Sequence, residues 1–364
     1  MISFALTDEQ SSAREAMRGF ASNVLRPVAR EYDEASAIPD AYFEKAWELG
    51  LTATQLPESY GGYGADRSPV TNAIVLEELA YGDATLAVAG LAPSLFANAI
   101  ADQGTEEQKG AYLPDFCGSA FHTGSLAITE PTPGFDVFAP RTTAEKTASG
   151  FALHGVKSFV PLGDRAANFL VVARCGDGLD AFIVPRGAAG LTITEVEKNL
   201  GLKALTTTGL RLDGVAVGAE QRLGDTEGAD IAQLINQSRV AIAAVLTGLS
   251  RAVLDYCVPY SKERVAFDEP IARKQSIAFR LAEMHIEIES SRWLTWKAAT
   301  DLEQGRDATR SSTLARRYVA EKAMWIADNG VQVLGGHGFI REHPVEMWYR
   351  NARTLGVLEG TATI

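Results

Sequence analysis

The spacing of apolar and polar residues divides this chain into three zones. Over residues 1–120 apolar side chains recur every three or four positions, which predicts helices with one buried face. Residues 121–224 instead hold short runs of β-branched and aromatic residues between glycine and aspartate turns, which predicts a small sheet or barrel. Over residues 225–364 the helical period returns in long alanine-rich stretches that are typical of a helical bundle. The chain is therefore predicted to be an α+β protein, with a central β domain between an N-terminal helical domain and a C-terminal bundle.

The boundaries of single elements follow from the same pattern. The first helix is predicted to begin after Thr7, because threonine followed by two acids and a glutamine is a capping signal. Its apolar face is predicted from the four-residue spacing of Ala16, Phe20, Val24 and Val28. The other predicted helices cover residues 40–49, 70–81, 93–103, 238–263, 275–300 and 311–335. The predicted strands cover residues 151–160, 169–174, 180–184, 191–196 and 209–217.

Two prolines lie within these predicted helices. Pro93 is expected in the first turn of its helix, where the missing N–H has no helical partner in any case. Pro259 is expected to kink or break the long helix that ends at Glu263, since proline removes a hydrogen bond there.

Composition and charge exclude some classes of function. A chain of 364 residues with 46% hydrophobic and 22% charged residues is expected to form about two or three packed globular units. The net charge of −12 argues against nucleic acid as the main ligand, because binding phosphate backbones requires a basic surface. A small anionic ligand that is held by a few local arginines remains compatible with this charge.

The cysteines and the apolar runs bear on cellular location. Cys117, Cys175 and Cys257 are widely spaced and form no metal-binding pattern, so reduced thiols and no metal site are expected. The N-terminus shows no basic region followed by an apolar stretch. The longest apolar run, residues 240–249, is about half the length of a membrane span. A cytoplasmic protein without membrane association is expected.

Candidate chemistry is concentrated near the C-terminus. Residues 335–338 read G-G-H-G, and glycine allows the backbone to approach a ligand closely. Glu359 lies between Leu358 and a glycine, in a position where a dry pocket would let its carboxylate act as a base. A helix end at the glycines and a surface glutamate in a terminal turn are the simpler alternatives.

This pairing resembles the C-terminal signature of the acyl-CoA dehydrogenases, flavoproteins that desaturate acyl-CoA thioesters. The order of a helical, a β and a second helical domain is also that of the family, so the resemblance covers nearly the whole chain. It implies FAD as the cofactor and Glu359 as the base that removes the α-proton. It further implies that Thr361 contacts the ADP portion of the flavin. Arg239 matches an arginine that the family has behind the active site, and an ordinary helix-start arginine is the alternative. Arg239 and Leu358, which lies beside the base, are the candidates for substrate binding together with Phe135.

Two segments of the β zone resemble loops that line the flavin in this family. Residues 128–137, I-T-E-P-T-P-G-F-D-V, are similar to the family's T-E-P-G-A-G-S-D-V, which makes Thr129 the flavin-binding hydroxyl. Phe135 replaces the family's serine on the thioester side of that loop. Residues 157–163, K-S-F-V-P-L-G, fall where the family has K-x-W-I-T-N-G. Phe159 keeps the aromatic contact with the flavin, whereas Pro161 lacks the hydroxyl that meets flavin N5.

Two further segments resemble family motifs that contact the flavin of a neighbouring subunit. Residues 260–275 match Y-x-x-x-R-x-x-F-G-x-P-I…Q, with Asp268 in place of the glycine. The matching residues are Arg264, Phe267 and Gln275. Arg264 suits a pyrophosphate because a guanidinium makes paired, charged hydrogen bonds. Gln332, Gly335 and Gly336 match the family's Q-x-x-G-G.

The resemblance leaves three hypotheses open. The first is an acyl-CoA dehydrogenase that is reoxidised by an electron-transfer flavoprotein and assembles as a homotetramer, or at least as a dimer. The second keeps the fold and uses oxygen, as flavin oxidases and monooxygenases do, because Phe135 and Pro161 alter the surroundings of the flavin. The third is a partly degenerate subunit of a heterotetramer, since the residues that serve a neighbour match the family better than those that serve this chain's own flavin. The acyl group stays undefined.

Overall fold

The structure is a computed structural model that describes residues 5–224 and 228–364. The helices before the sheet are α1 (Asp8–Phe20), α2 (Arg26–Ala35), α3 (Asp40–Trp47), α4 (Leu51–Thr54), α5 (Pro69–Gly82), α6 (Ala84–Gln103) and α7 (Glu106–Tyr112). The helices after it are α8 (Ile231–Glu263), α9 (Gln275–Glu303), α10 (Thr309–Leu334) and α11 (Val345–Leu355). The predicted order of helices, sheet and helices is confirmed. The predicted start of the third zone, residue 225, lies outside the described residues.

The predicted cap of α1 is present, but its buried face is shifted by one residue. The Thr7 hydroxyl accepts a hydrogen bond from the Gln10 N–H at 3.1 Å, and the Gln10 side chain accepts one from the Thr7 N–H at 3.1 Å. A π-helical turn, Ala21–Leu25, joins α1 to α2. The buried residues are Met17, Ala21, Leu25 and Ala29. Small residues are needed on this face, because a side chain at Gly82 would come within 2.6 Å of the Ala21 carbonyl oxygen. Phe20, Val24 and Val28 are only half-buried and flank this contact with α5.

Both prolines lie inside continuous helices. The expectation for Pro93 is wrong, because α6 begins nine residues earlier, after Asp83, whose carboxylate accepts a hydrogen bond from the Leu86 N–H at 2.9 Å. Helix α8 likewise passes through Pro259 to Glu263 without the break that was one of the two expected outcomes. Each proline removes one helical hydrogen bond. Burial of the alanine-rich and apolar neighbours along these helices offsets that loss.

The β zone is one seven-stranded sheet in which β1, β4, β2, β3, β7 and β6 are neighbours in that order and β5 pairs with β4. The strands are β1 (Ser125–Ala127), β2 (Thr143–Thr147), β3 (Gly150–Pro161), β4 (Asn168–Cys175), β5 (Gly178–Pro185), β6 (Leu191–Val196) and β7 (Thr207–Gly218). The register of β3 against β7 shifts between Lys157 and Val160. Phe159 lies in this bulge with a φ of 53°, and its N–H donates to the Glu197 carboxylate at 3.0 Å. Phe159 is partly buried and packs against the main hydrophobic core.

Helix α8 is the central element of the last zone. It packs against α5, α9 and α10, and most of its residues between Ile231 and Leu254 are buried. A short hairpin of β8 (Val265–Ala266) and β9 (Glu269–Pro270) joins it to α9. By length and composition α6 and α8 could each cross a membrane, but 83% of the most apolar part of each is buried inside the protein, as in ordinary core helices.

Candidate active site

Glu359 lies in a turn after α11 that is held from two other parts of the chain. Gly360 has a φ of 72°, a conformation that glycine adopts without strain. The Thr129 hydroxyl donates to the Glu359 carbonyl oxygen at 3.0 Å, and the Gly360 N–H donates to the Ser238 hydroxyl at 3.0 Å. The turn is therefore fixed between a loop of the β sheet and the first turns of α8.

The two carboxylate oxygens of Glu359 have different surroundings. Oε1 accepts a hydrogen bond from Nε of Arg239 at 3.2 Å. The same guanidinium donates to the Thr313 hydroxyl at 2.9 Å and lies 5.5 Å from the centre of the Phe138 ring. Oε2 is buried and has no hydrogen-bond partner among the residues that the structure describes. One oxygen is thus held by a cation, and the other keeps a free lone pair for a proton.

A second arginine, Arg316, holds the backbone of this turn. Arg316, on α10, is 7% exposed, and its Nη2 donates to the carbonyl oxygens of Leu355 at 2.9 Å and Leu358 at 2.7 Å. Burial lowers the pKa of the Arg316 guanidinium, while the charge of Glu359 acts in the opposite direction. Arg316 therefore fixes the backbone immediately before Glu359 and places a second positive charge near its carboxylate.

A buried ion pair fixes the loop that carries Thr129. The ammonium group of Lys157, which is fully buried, donates to the Ile128 carbonyl oxygen at 3.0 Å and to Oε1 of Glu130 at 2.9 Å. Burial lowers the pKa of Lys157 to about 8, although Glu130 stabilises its charge. The Ser158 N–H donates to the Thr129 carbonyl oxygen at 2.9 Å. The loop therefore has little freedom to move away from Glu359.

We call Thr129, Phe159, Arg239, Arg316, Leu358, Glu359 and Thr361 the base site. Its buried polar atoms are not all satisfied: Oε2 of Glu359, the Thr361 hydroxyl and the neighbouring Ser158 hydroxyl have no partner within the described ranges. Such atoms are rare in native proteins and indicate a missing ligand or water. A flavin ring carries both hydrogen-bond donors and acceptors, so these residues fit the cofactor that the resemblance implies.

The remaining predicted residues form a second cluster, which we call the rim site: Arg264, Phe267, Gln275, Gln332, Gly335 and Gly336. All six are exposed, and Phe267 is 87% exposed on a backbone with a φ of 56°. The Tyr260 hydroxyl donates to the Leu334 carbonyl oxygen at 3.3 Å, which holds the ends of α8 and α10 side by side. Gly335 follows α10 with a φ of 60°, so it also ends the helix.

The two sites lie far apart. Arg239 is near the start of α8 and Arg264 follows its last residue, so the helix separates them by about 38 Å at its rise of 1.5 Å per residue. No side chain spans that distance. The structure thus brings the base-site residues together and leaves the rim site as a separate exposed surface.

Several residues at the base site carry no clear signal in the sequence. Ser238, Thr313, Arg316 and Phe138 contact the site only because distant segments meet there. Among the predicted substrate contacts, Leu358 is buried in the core and Phe135 packs against that core. Within residues 5–224 and 228–364 no group of three or more His, Cys, Asp or Glu side chains could hold a metal ion.

The family models for acyl-CoA dehydrogenases match almost the whole chain. The N-terminal domain model matches residues 7–119, the middle domain model residues 125–215 and the C-terminal domain model residues 227–364. The short-chain specific acyl-CoA dehydrogenase of Rattus norvegicus mitochondria is 33% identical over 370 residues, which cover 100% of this chain and 89% of the relative.

Solved structures show the same likeness. Butyryl-CoA dehydrogenase from Megasphaera elsdenii superposes with a TM-score of 0.88 and 32% identity, over 100% of this chain and 96% of that one. A glutaryl-CoA dehydrogenase from Mycobacterium smegmatis, solved in complex with FADH2, gives a TM-score of 0.87 and 25% identity over 98% and 92% of the two chains. From end to end, this chain belongs to the acyl-CoA dehydrogenase family.

Proposed function

We propose that this protein catalyses the FAD-dependent α,β-dehydrogenation of an acyl-CoA thioester and that Glu359 is the base. The family gives the class of reaction. The observation that supports the role of Glu359 is its buried, unpartnered Oε2, next to an Oε1 that Arg239 holds. A carboxylate in this state is held in one orientation, is partly shielded from water and can accept a proton.

The residues of this chain divide the work of proton removal. Oε2 of Glu359 takes the α-proton, while Arg239 and Arg316 stabilise the carboxylate before the transfer and fix its position. The Glu359 N–H makes no hydrogen bond within the described part of the chain, so it is available to the thioester carbonyl oxygen and would acidify the α-proton. Bound FAD would supply the acceptor, at N5, for the β-hydrogen that leaves as hydride.

The flavin would be shared between two copies of the chain. Thr129, Phe159 and Thr361 would hold it at the base site. The rim site lies about 38 Å from Arg239 of the base site along α8, so its exposed arginine and phenylalanine would serve the ADP half of a flavin in a neighbouring copy. Large exposed apolar residues on α9, such as Phe279 and Ile286, support an interface there. A homotetramer fits these observations.

The wider role follows from this chemistry. Electrons from the reduced flavin would pass to an electron-transfer flavoprotein, and the enzyme would act in fatty acid metabolism in the cytoplasm. The thioester substrate would be an acyl-CoA, in keeping with the relatives named above.

One observation favours a second candidate within the same fold. Pro161 ends β3 where the family has a threonine, and its carbonyl oxygen accepts a hydrogen bond from Ser125 at 2.6 Å. It therefore offers no hydroxyl and no N–H to flavin N5. An oxygen-using oxidase or monooxygenase, or a subunit that binds flavin only beside an unlike partner, would tolerate this change.

The visible absorption spectrum of the protein purified alone, followed by anaerobic titration with acyl-CoAs, tests the proposal. We expect a bound flavin that bleaches with an acyl-CoA in the wild type. In Glu359→Gln the rate of bleaching should fall by at least about a hundredfold, and the exposed control Glu342→Gln should behave as the wild type. A colourless protein would favour the heteromeric subunit, and a flavin that no thioester reduces would favour the oxygen-using relatives.

A further inference from the structure

A cavity of about 550 Å³ lies between the helices of the N-terminal zone. Its walls come from α1, α4, α5 and α6, and Thr363 contributes from the C-terminal segment. Leu51, Val75, Leu76 and Leu91 form an apolar part of the wall. Its uncharged polar side chains include Gln55, Asn72, Ser94 and Asn98. Small-molecule sites in proteins have this size and this mixture of apolar walls and a few polar groups.

Asn98 is a buried polar residue of this wall with unused hydrogen-bonding capacity; the half-buried Thr363 hydroxyl likewise makes no hydrogen bond within the described part of the chain. It is 4% exposed, and its amide makes no hydrogen bond within the described ranges. Its neighbours in the wall satisfy one another: the amides of Gln55 and Asn72 exchange hydrogen bonds of 3.0 and 2.8 Å. The Ser94 hydroxyl is bonded to Thr52 at 2.8 Å. The Asn98 amide atoms are not among the fully enclosed unpaired polar atoms of the described residues, so their two donors and one acceptor face accessible space, where a ligand group in the cavity would pair with them.

The charge of the cavity restricts the chemistry of that group. Glu9, Asp66 and Glu303 line it, and no lysine or arginine is among its lining residues. The guanidinium of Arg67, between the lining residues Asp66 and Ser68, is already paired with Asp102, so a carboxylate or phosphate would meet mainly like charge there. A neutral hydroxyl or amide would pair with Asn98 without that repulsion.

The cavity is within reach of the base site. Thr363 follows Glu359 by four residues, so their Cα atoms are at most about 14 Å apart. Between them, Thr361 is buried and its hydroxyl is unpartnered. On the other side, Gln237 adjoins Ser238, which holds the Glu359 turn, and donates to Asp102 at 2.9 Å, one helical turn beyond Asn98.

We propose that this cavity receives the far end of the acyl group, and that Asn98 selects acyl-CoAs whose chain ends in a neutral hydroxyl or amide over those that end in methyl or carboxylate. This rests on the proposed dehydrogenation at Glu359 and names the class of its substrate. The methylene part of the chain would lie against the leucines and valine, and the terminal group would bond the Asn98 amide.

Acyl-CoAs of one chain length that end in methyl, hydroxyl or carboxylate test this selection. The rate of flavin bleaching and kcat/KM are measured for the wild type, for Asn98→Leu, which keeps the branched shape without the polar atoms, and for the exposed control Asn23→Leu. We expect the wild type and the control to prefer hydroxyl over methyl by about tenfold or more, with carboxylate last. Asn98→Leu should prefer methyl. Binding is measured without turnover by the melting temperature in the presence of unreactive thioether analogues. In the wild type, analogues that end in hydroxyl should raise the melting temperature more than those that end in methyl. Asn98→Ala is a second variant, in which this difference should be lost.

The outcomes separate this inference from the function on which it rests. If the methyl compound bleaches the flavin in a Glu359-dependent way and the terminal group makes no difference in the wild type, the cavity proposal is wrong and the dehydrogenase stands. An equal preference for hydroxyl in wild type and Asn98→Leu would also overturn it. If no thioester bleaches the flavin, both proposals fall together.

Discussion

Arg316 offers a sharp test of how the turn at Glu359 is held. Its substitution by methionine keeps a long side chain in the space but removes both hydrogen bonds to the carbonyl oxygens of Leu355 and Leu358. The hydrogen bonds of a charged donor contribute about 1.5–3 kcal/mol each. The lowered pKa of Arg316 shows that burial of its charge is itself unfavourable, and methionine relieves that cost. The net loss of stability is therefore expected to be about 2–4 kcal/mol.

The effect on catalysis should be larger than this loss suggests. Without its two anchors the turn shifts, and a displacement of about 1 Å in a catalytic group costs about a hundredfold in rate. We expect Arg316→Met to lower kcat by about that factor with little change in KM, because Arg316 lies on the backbone side of Glu359. Arg316→Lys keeps one donor and the charge, and should recover part of the rate.

The assay is anaerobic flavin reduction by a saturating acyl-CoA, alongside thermal unfolding. Arg317→Met is the matched control, since Arg317 is the next residue of α10 and is exposed; it should leave both stability and rate unchanged. A variant Arg316→Met that is less stable but turns over at the wild-type rate would refute the reasoning, because Arg316 would then be a residue of the core without influence on the base.

Two further predictions concern the cap of α6 and the rim site. Burial raises the pKa of Asp83 to about 6, from 3.8, so its contribution to stability is present below about pH 4 and is lost as the pH rises through 6. Asp83→Asn keeps a capping side chain and should stabilise the fold at pH 8 by up to about 3 kcal/mol but not at pH 4, as measured by calorimetry; an equal gain at both values would contradict this. At the rim site, Arg264→Gln should lower the flavin retained per chain after gel filtration, relative to the exposed control Arg310→Gln, because the proposed bidentate contact with pyrophosphate would be lost. Unchanged flavin content would remove Arg264 from the proposed site.

Patterns within one segment allowed the elements with strong periodicity to be predicted. The cap at Thr7 is a contact between residues three apart, and the five predicted strands are short β-branched and aromatic runs that turn residues separate clearly. Strands β1 and β2 were missed because they have only three and five residues and no alternation. The face of α1 was misplaced because the close approach of Ala21 to Gly82 depends on a partner helix that the local pattern does not include.

The candidate site shows the same limit. Thr129 and Glu359 are 230 positions apart, and motif resemblance alone suggested that they belong to one site; the structure joins them by a hydrogen bond. Arg316 lies in an ordinary helical pattern, and only the fold shows that its guanidinium faces two carbonyl oxygens of the turn. A residue whose role is to hold another segment leaves no trace in its own sequence neighbourhood.

The separation of the two sites along α8 bears on the choice between a homotetramer and a mixed one. Because the helix places the rim site about 38 Å from the base site, substitutions in one do not disturb the other, and a chain can lose one function while keeping the other. In this chain Phe135 and Pro161 depart from the family motifs of the loops near the base site, and Asp268 departs from the motif of the rim site. Glu359, Arg239 and Arg316 nevertheless form a connected cluster. A chain that contributed only its rim site to the flavin of a partner subunit would not need to keep that cluster. The intact base therefore favours a subunit that performs the chemistry itself, with altered contacts to the flavin rather than none.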